Sequence, residues 1–159
     1  MAAPVKITPA PVRKTIRVNV PPARAFEVFT ARFGQWWPKS HHIAAAEMQN
    51  VVIEPRPGGR WYEIGVDGAE CDWGKVLAWE PPARVVLSWH LNGKFQIDEN
   101  VASEVDVRFI ADGADATRVE LEHRIAAPDA EIIRAAVDAP NGWTGLLDLY
   151  AKNAEGRAS

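Results

Sequence analysis

The run ENVASEVDVRFIADGADATRVELEHRI, residues 99–125, reads as two strands joined by a tight turn. Val105, Val107 and Phe109 alternate with Glu104, Asp106 and Arg108. Beyond Asp112-Gly113, Val119, Leu121 and His123 alternate with Arg118, Glu120 and Glu122. A period of two puts each set on its own face of a strand. The apolar set therefore faces a core, and Glu104, Asp106, Glu120 and Glu122 form a solvated face. His123 breaks the pattern, because a polar ring on an apolar face needs a hydrogen-bond partner or a ligand.

Working outward, residues 69–91 read as two more strands joined at EPPAR, and 49–68 as two strands around a Pro-Gly-Gly turn. An alternating first strand runs through Val12, Ile16, Val18 and Val20. PPARAFEVFTARFGQWW, residues 21–37, starts a helix with proline, carries Ala25, Phe26, Val28 and Phe29 as its apolar stripe, and ends near Gly34. A short second helical turn through Gln35 to Trp37 stops at Pro38. Downstream of the hairpin, residues 127–156 are apolar at helical spacing from Ile132 to Tyr150, with Pro140 and Gly142 placed to kink or divide the helix. The order is strand, helix, about six strands, then a long helix. Short turns make the sheet mostly antiparallel, and the class is α+β. Such a sheet curves, and the last helix is the element long enough to cover its concave face.

The chain has 159 residues, which suits a single domain with one core. We expect a flexible arm over 1–11, the domain over 12–152 and a tail over 153–159. Net charge is -3 and no dense run of Lys or Arg occurs, so nucleic acid is not an expected partner. No apolar run approaches the roughly 20 residues that span a bilayer, and the N-terminus lacks a signal-peptide h-region. The single cysteine, Cys71, excludes an internal disulfide, fits a cytoplasmic location and reads as a small buried hydrophobe. His41 and His42 are adjacent and point apart in an extended chain, so no metal is expected there. No Ser–His–Asp order, phosphate loop or cofactor signature occurs, and no cofactor is expected.

The pieces PPARAFEVFT (21–30), WW (36–37), PGGRWYE (57–63), WGKVLAWEPPARVVLSW (73–89), SEVDVRF (103–109), TRVELEH (117–123) and NGWTGLLDLY (141–150) together resemble the START-like superfamily (SRPBCC). More narrowly, they resemble its Aha-type domains, the homologues of the heat-shock-protein-90 ATPase activator. The resemblance implies the helix-grip (Bet v-like) fold, a curved sheet wrapped around a long C-terminal helix with a cavity between them. It implies no single activity, since the superfamily holds lipid carriers, polyketide cyclases, a self-sacrificing resistance protein, hormone receptors and co-chaperone domains. It also places His123 at the cavity edge under the last helix and the Trp36–Trp37 segment over the open end of the sheet.

Seven tryptophans are the compositional signal. Large rings suit an aromatic cavity wall. The candidate lining is Trp36, Trp37, Tyr62, Trp73, Trp89, Val107, His123, Trp143 and Leu147. Trp89 is preferred to His90, because turning it inward removes far more apolar area from water. Trp73 shares a face with Cys71 and is placed inside. Trp61 pairs with Glu63 on one face and Tyr62 with Ile64 on the other; alternation does not decide between them. Nothing in the sequence fixes Glu63, Glu70 or Asp72 at the cavity mouth. The expected function is binding of a small apolar or aromatic molecule. Its rivals are a co-chaperone contact with a heat-shock ATPase and a polyketide cyclase or hydrolase working through His123. A homodimer is compatible with the sequence, which specifies no surface for one.

Overall fold

The alternating run around Asp112-Gly113 folds as β6 (Ala102–Ala111) and β7 (Thr117–Ala126), with Val105 opposite His123, Val107 opposite Leu121 and Phe109 opposite Val119. The structure, a computed structural model, describes residues 9–39, 41, 46–91, 98 and 101–156. The other strands are β1 (Val12–Val18), β2 (Met48–Ile53), β3 (Arg60–Gly65), β4 (Glu70–Glu80) and β5 (Arg84–Trp89). All seven join one antiparallel sheet in the order β1-β7-β6-β5-β4-β3-β2. Successive strands are neighbours except β1, which returns to pair with β7. Register shifts at Met48/Asn50, Trp61/Tyr62 and Val76/Ala78 interrupt the far half of the sheet. Bulges of this kind bend a strand and increase its twist, and the sheet curls into a half-barrel.

Helix α1 (Pro22–Thr30) opens with proline, whose missing N–H is no loss in the first turn. It buries Ala25, Phe26, Val28 and Phe29 as its stripe predicts. Phe26 meets Phe109 edge-on at 5.2 Å, and Phe29 meets Tyr150 at 5.3 Å. A short α2 (Phe33–Trp36) then carries the tryptophan doublet.

The C-terminal segment is divided, as Pro140 and Gly142 suggest. Helix α3 (Ala130–Asp138) and helix α4 (Gly145–Ala154) flank a π-helical turn over Pro140–Thr144. Gly142 is needed there because a Cβ would run into the carbonyl oxygens of Val137 and Ala136. Helix α4 buries Leu146, Leu147, Tyr150, Ala151 and Ala154. The Tyr150 hydroxyl donates to the Ala25 carbonyl at 2.7 Å, which clamps α4 to α1. Burial drives the Tyr150 pKa upward, so the phenol stays a donor.

Three expectations need revision or a limit. Asp106 lies on the outer face as expected, yet it is only 3% exposed. Arginines from both neighbouring strands cover it: Arg84 donates twice, at 3.0 and 2.9 Å, and Arg124 at 3.3 Å. Desolvation raises its pKa, but these guanidinium contacts outweigh that and hold the carboxyl below its usual range. Cys71 is half-buried rather than buried, and desolvation, with Glu63 and Asp72 near, pushes its thiol pKa up. The arm is described from Pro9 onward, where the Ala10 carbonyl accepts from Arg134 at 2.8 Å; residues 1–8 and 157–159, and His42, lie outside the described residues.

A Gly142→Ala variant should lose on the order of 2 kcal/mol of unfolding free energy in urea, because backbone must shift to admit the methyl group. A loss under about 0.5 kcal/mol, the range of ordinary surface changes, would show that the π-helical turn has no need of glycine.

Candidate functional site

Side chains on the concave face of the sheet meet those of α2 and the C-terminal segment in a continuous aromatic cluster. Trp37 from the end of α2, Trp73 from β4, Trp61 from β3, Trp89 from β5 and Trp143 from the π-helical turn form a closed circuit. Successive ring centroids lie 5.5, 5.4, 5.7, 5.8 and 6.1 Å apart, and the tilts run from 55° to 69°. These are the tilted and edge-to-face arrangements that the ring quadrupole favours. Phe33 stacks on Trp37 at 4.9 Å, and Trp36 touches Trp37 at 5.8 Å on the side toward Tyr150.

The indole N–H groups anchor most of this wall. Trp36 donates to the Val28 carbonyl at 3.0 Å and Trp37 to the His41 carbonyl at 2.8 Å. Trp73 donates to Glu63 Oε1 at 2.9 Å, and Trp143 to His123 Nδ1 at 3.0 Å. The buried N–H groups of Trp61 and Trp89 meet no acceptor.

His123 is fully buried and sits 5.0 Å from the Trp89 ring. Its tautomer follows from its partners. An indole N–H can only donate, so Nδ1 accepts and the proton resides on Nε2. Nε2 lies 3.4 Å from Ser103 Oγ, whose own hydrogen goes to the Trp89 carbonyl at 2.6 Å. Burial, with the Arg124 charge as a smaller cause, pushes the His123 pKa down to about 3. At neutral pH the ring is therefore an uncharged link between β7, β6 and the Trp143 turn.

A family model described as activator of Hsp90 ATPase homolog 1-like protein matches residues 19–153. The chain belongs to this family. No curated protein matches it. Among solved structures, an anthrahydroquino-γ-pyrone synthase, Txn09, is 36% identical, with 92% of this chain and 97% of that one covered at a TM-score of 0.60. CalC of Micromonospora echinospora, a self-sacrificing resistance protein, is 30% identical over 94% and 97% of the two chains, with a TM-score of 0.68. An HSP90 activator of Plasmodium falciparum, 21% identical over 73% of each chain at a TM-score of 0.52, shares the fold. The seven-stranded sheet and the C-terminal helical segment are the helix-grip architecture of this Hsp90-activator-like family.

Of the residues expected to line a cavity, Trp36, Trp37, Trp73, Trp89, His123 and Trp143 come together. Val107 and Leu147 are buried in the same core. Tyr62 does not join them. It stands on the other face of β3, half-buried, with the Arg60 guanidinium 4.0 Å above its ring. Trp61 and Glu63 take the inward positions, both fully buried. Glu63 is the interior carboxylate that sequence reasoning could not place. The parity of β3 relative to β4 changes at the Trp61/Tyr62 bulge, so the pattern of either strand alone is silent on it. His41 is half-buried and holds Trp37 through its backbone carbonyl.

The His123 link sets a pH dependence. The unfolded chain protonates this histidine below about 6.5, and the folded chain does so only near 3. Within that window the unfolded state binds more protons, so stability falls as pH falls. Relative to a His123→Asn variant, whose amide oxygen can still accept from Trp143, the parent should lose up to about 1.4 kcal/mol more per pH unit between 6.5 and 3. Urea midpoints at pH 7, 5.5 and 4.5 measure this. Parallel curves for the two proteins would show that His123 is not held neutral.

Proposed function

We propose that this protein binds a planar, apolar aromatic molecule between the curved sheet and the C-terminal helical segment. The observation that carries this is the closed circuit of Trp37, Trp73, Trp61, Trp89 and Trp143. A core needs bulk, and Leu, Ile and Phe supply it with no polar atom to satisfy. Five indoles from three strands, the end of a helix and a turn instead offer flat faces with a few polar handles, the composition of a small-molecule site. Trp36, His123 and Ser103 flank that surface. The relative Txn09 adds support, because its name describes a synthase of a fused aromatic pyrone and it is 36% identical over nearly the full length.

The rival roles find less support. A chaperone-contact role draws on the family's description. Such a contact calls for a contiguous apolar surface. The large apolar side chains exposed among the described residues, Val66, Leu77 and Ile132, stand separately on a turn, on β4 and on α3. A cyclase or hydrolase using His123 as base needs a ring nitrogen facing substrate. Both nitrogens of His123 face Trp143 and Ser103. The reading is thus of a binding protein for a small aromatic molecule in the cytoplasm, where a chain with one cysteine is at home.

Intrinsic fluorescence tests this directly. A planar polycyclic such as an anthraquinone should quench the tryptophan emission saturably, and palmitate should leave it unchanged. An equal response to palmitate would replace the aromatic ligand by a lipid. No response to either would move the function to protein contact, to be measured as stimulation of a heat-shock ATPase.

A further inference from the structure

Trp61 on β3 and Trp89 on β5 lie with ring centroids 5.7 Å apart and planes tilted by 55°. Their exposures are 0% and 3%, and neither indole N–H has an acceptor. An indole N–H can only donate. Leaving a buried donor unmet costs about 1–3 kcal/mol, and native proteins retain such groups rarely and with a cause. The contrast within one wall is informative: Trp36, Trp37, Trp73 and Trp143 each reach an acceptor at 2.8–3.0 Å. The two exceptions are neighbours. We propose that Trp61 and Trp89 form a donor pair that binds the carbonyl oxygen of a planar aromatic ketone or quinone.

The chemistry of the surroundings selects a neutral acceptor. No Lys or Arg is buried among the described residues; Arg60, Arg84, Arg108 and Arg124 keep their heads on the outer side, in ion pairs with Glu70, Asp72, Asp106 and Glu104. His123 is uncharged. A carboxylate or phosphate entering this wall would thus give up its hydration with no cation to receive it. A carbonyl oxygen has two lone pairs, which suit two N–H donors, and on an aromatic skeleton it leaves the rest of the ligand free to stack. The inference rests on the aromatic-ligand reading above and adds the polar group by which the ligand is recognised.

The test uses two compounds of one skeleton, 9-fluorenone and fluorene, with dissociation constants from equilibrium dialysis. Replacing Trp61→Phe or Trp89→Phe removes one N–H and keeps an aromatic ring. Each change should lower the fluorenone-to-fluorene affinity ratio by about threefold to tenfold, the worth of one hydrogen bond, while the affinity for fluorene stays within about threefold, under one net hydrogen bond. A ratio unchanged in both variants, with both compounds still bound, overturns the donor pair and leaves the ligand-binding reading intact; trapped water would then satisfy the two N–H groups. Failure of the parent protein to bind either compound overturns both. Should a variant not fold, proton–nitrogen correlation spectra of the parent decide: two indole N–H resonances should move downfield with fluorenone and not with fluorene. Absence of such a pair of shifts overturns the proposal.

Discussion

The hydrogen bond from the Trp143 indole to His123 Nδ1 ties the covering segment to the floor of the sheet, and much else depends on it. It joins two buried groups that would each be unsatisfied without the other. The π-helical turn makes the bond reachable, since Gly142 lets the backbone break beside Val137 and swing Trp143 toward β7. The bond also fixes the histidine tautomer. That tautomer determines the Ser103 hydroxyl direction, and the hydroxyl holds the backbone at Trp89. Through this chain of contacts the Trp143 side chain is linked to the backbone of Trp89, a second tryptophan of the circuit.

The fold was legible in the sequence because its strands face solvent on one side. Alternation around Val105–Phe109 and Val119–His123 carries over directly into the β6–β7 register. Proline at the start of α1 and the Pro140–Gly142 pair marked a helix start and a helix break through backbone rules alone. The interior was less legible. Trp36, Trp37, Trp73, Trp89 and Trp143 could be chosen by size, but Trp61 and Tyr62 compete with similar bulk at adjacent positions. A bulge at that pair settles the competition, and a bulge is a property of two strands together. Glu63 follows Trp61 inward for the same reason. Asp106 shows the converse: its face was readable, but it is covered by the guanidinium groups of Arg84 and Arg124, long side chains whose reach a period-two pattern does not describe.

The two faces of the sheet handle polarity in opposite ways. Outside, charge is abundant and paired, with Asp106 held by two arginines and Arg60 bridging Glu70 and Asp72. Inside, the polar groups are few and almost all are neutral donors or acceptors with defined directions. The helix-grip frame is shared by a synthase, a resistance protein and an HSP90 activator, so the frame alone assigns no activity. In this chain the inner face is dominated by indoles, and an indole contributes area and one directed N–H without a charge to desolvate. On the proposed reading, such a wall would discriminate by ring shape and by the position of an oxygen atom.

An interior built this way also constrains what chemistry it can host. A general base must present a lone pair to substrate and accept a proton near neutral pH. His123 does neither, since Nδ1 is occupied by Trp143 and burial keeps its pKa near 3. Glu63 has one oxygen engaged by Trp73 and lies within the same aromatic wall. On the proposed reading, catalysis would rest on holding a flat ligand in one conformation with its carbonyl polarised by the two indole donors, the arrangement that serves simple binding as well. Under that proposal, binding and chemistry make the same demand on Trp61 and Trp89.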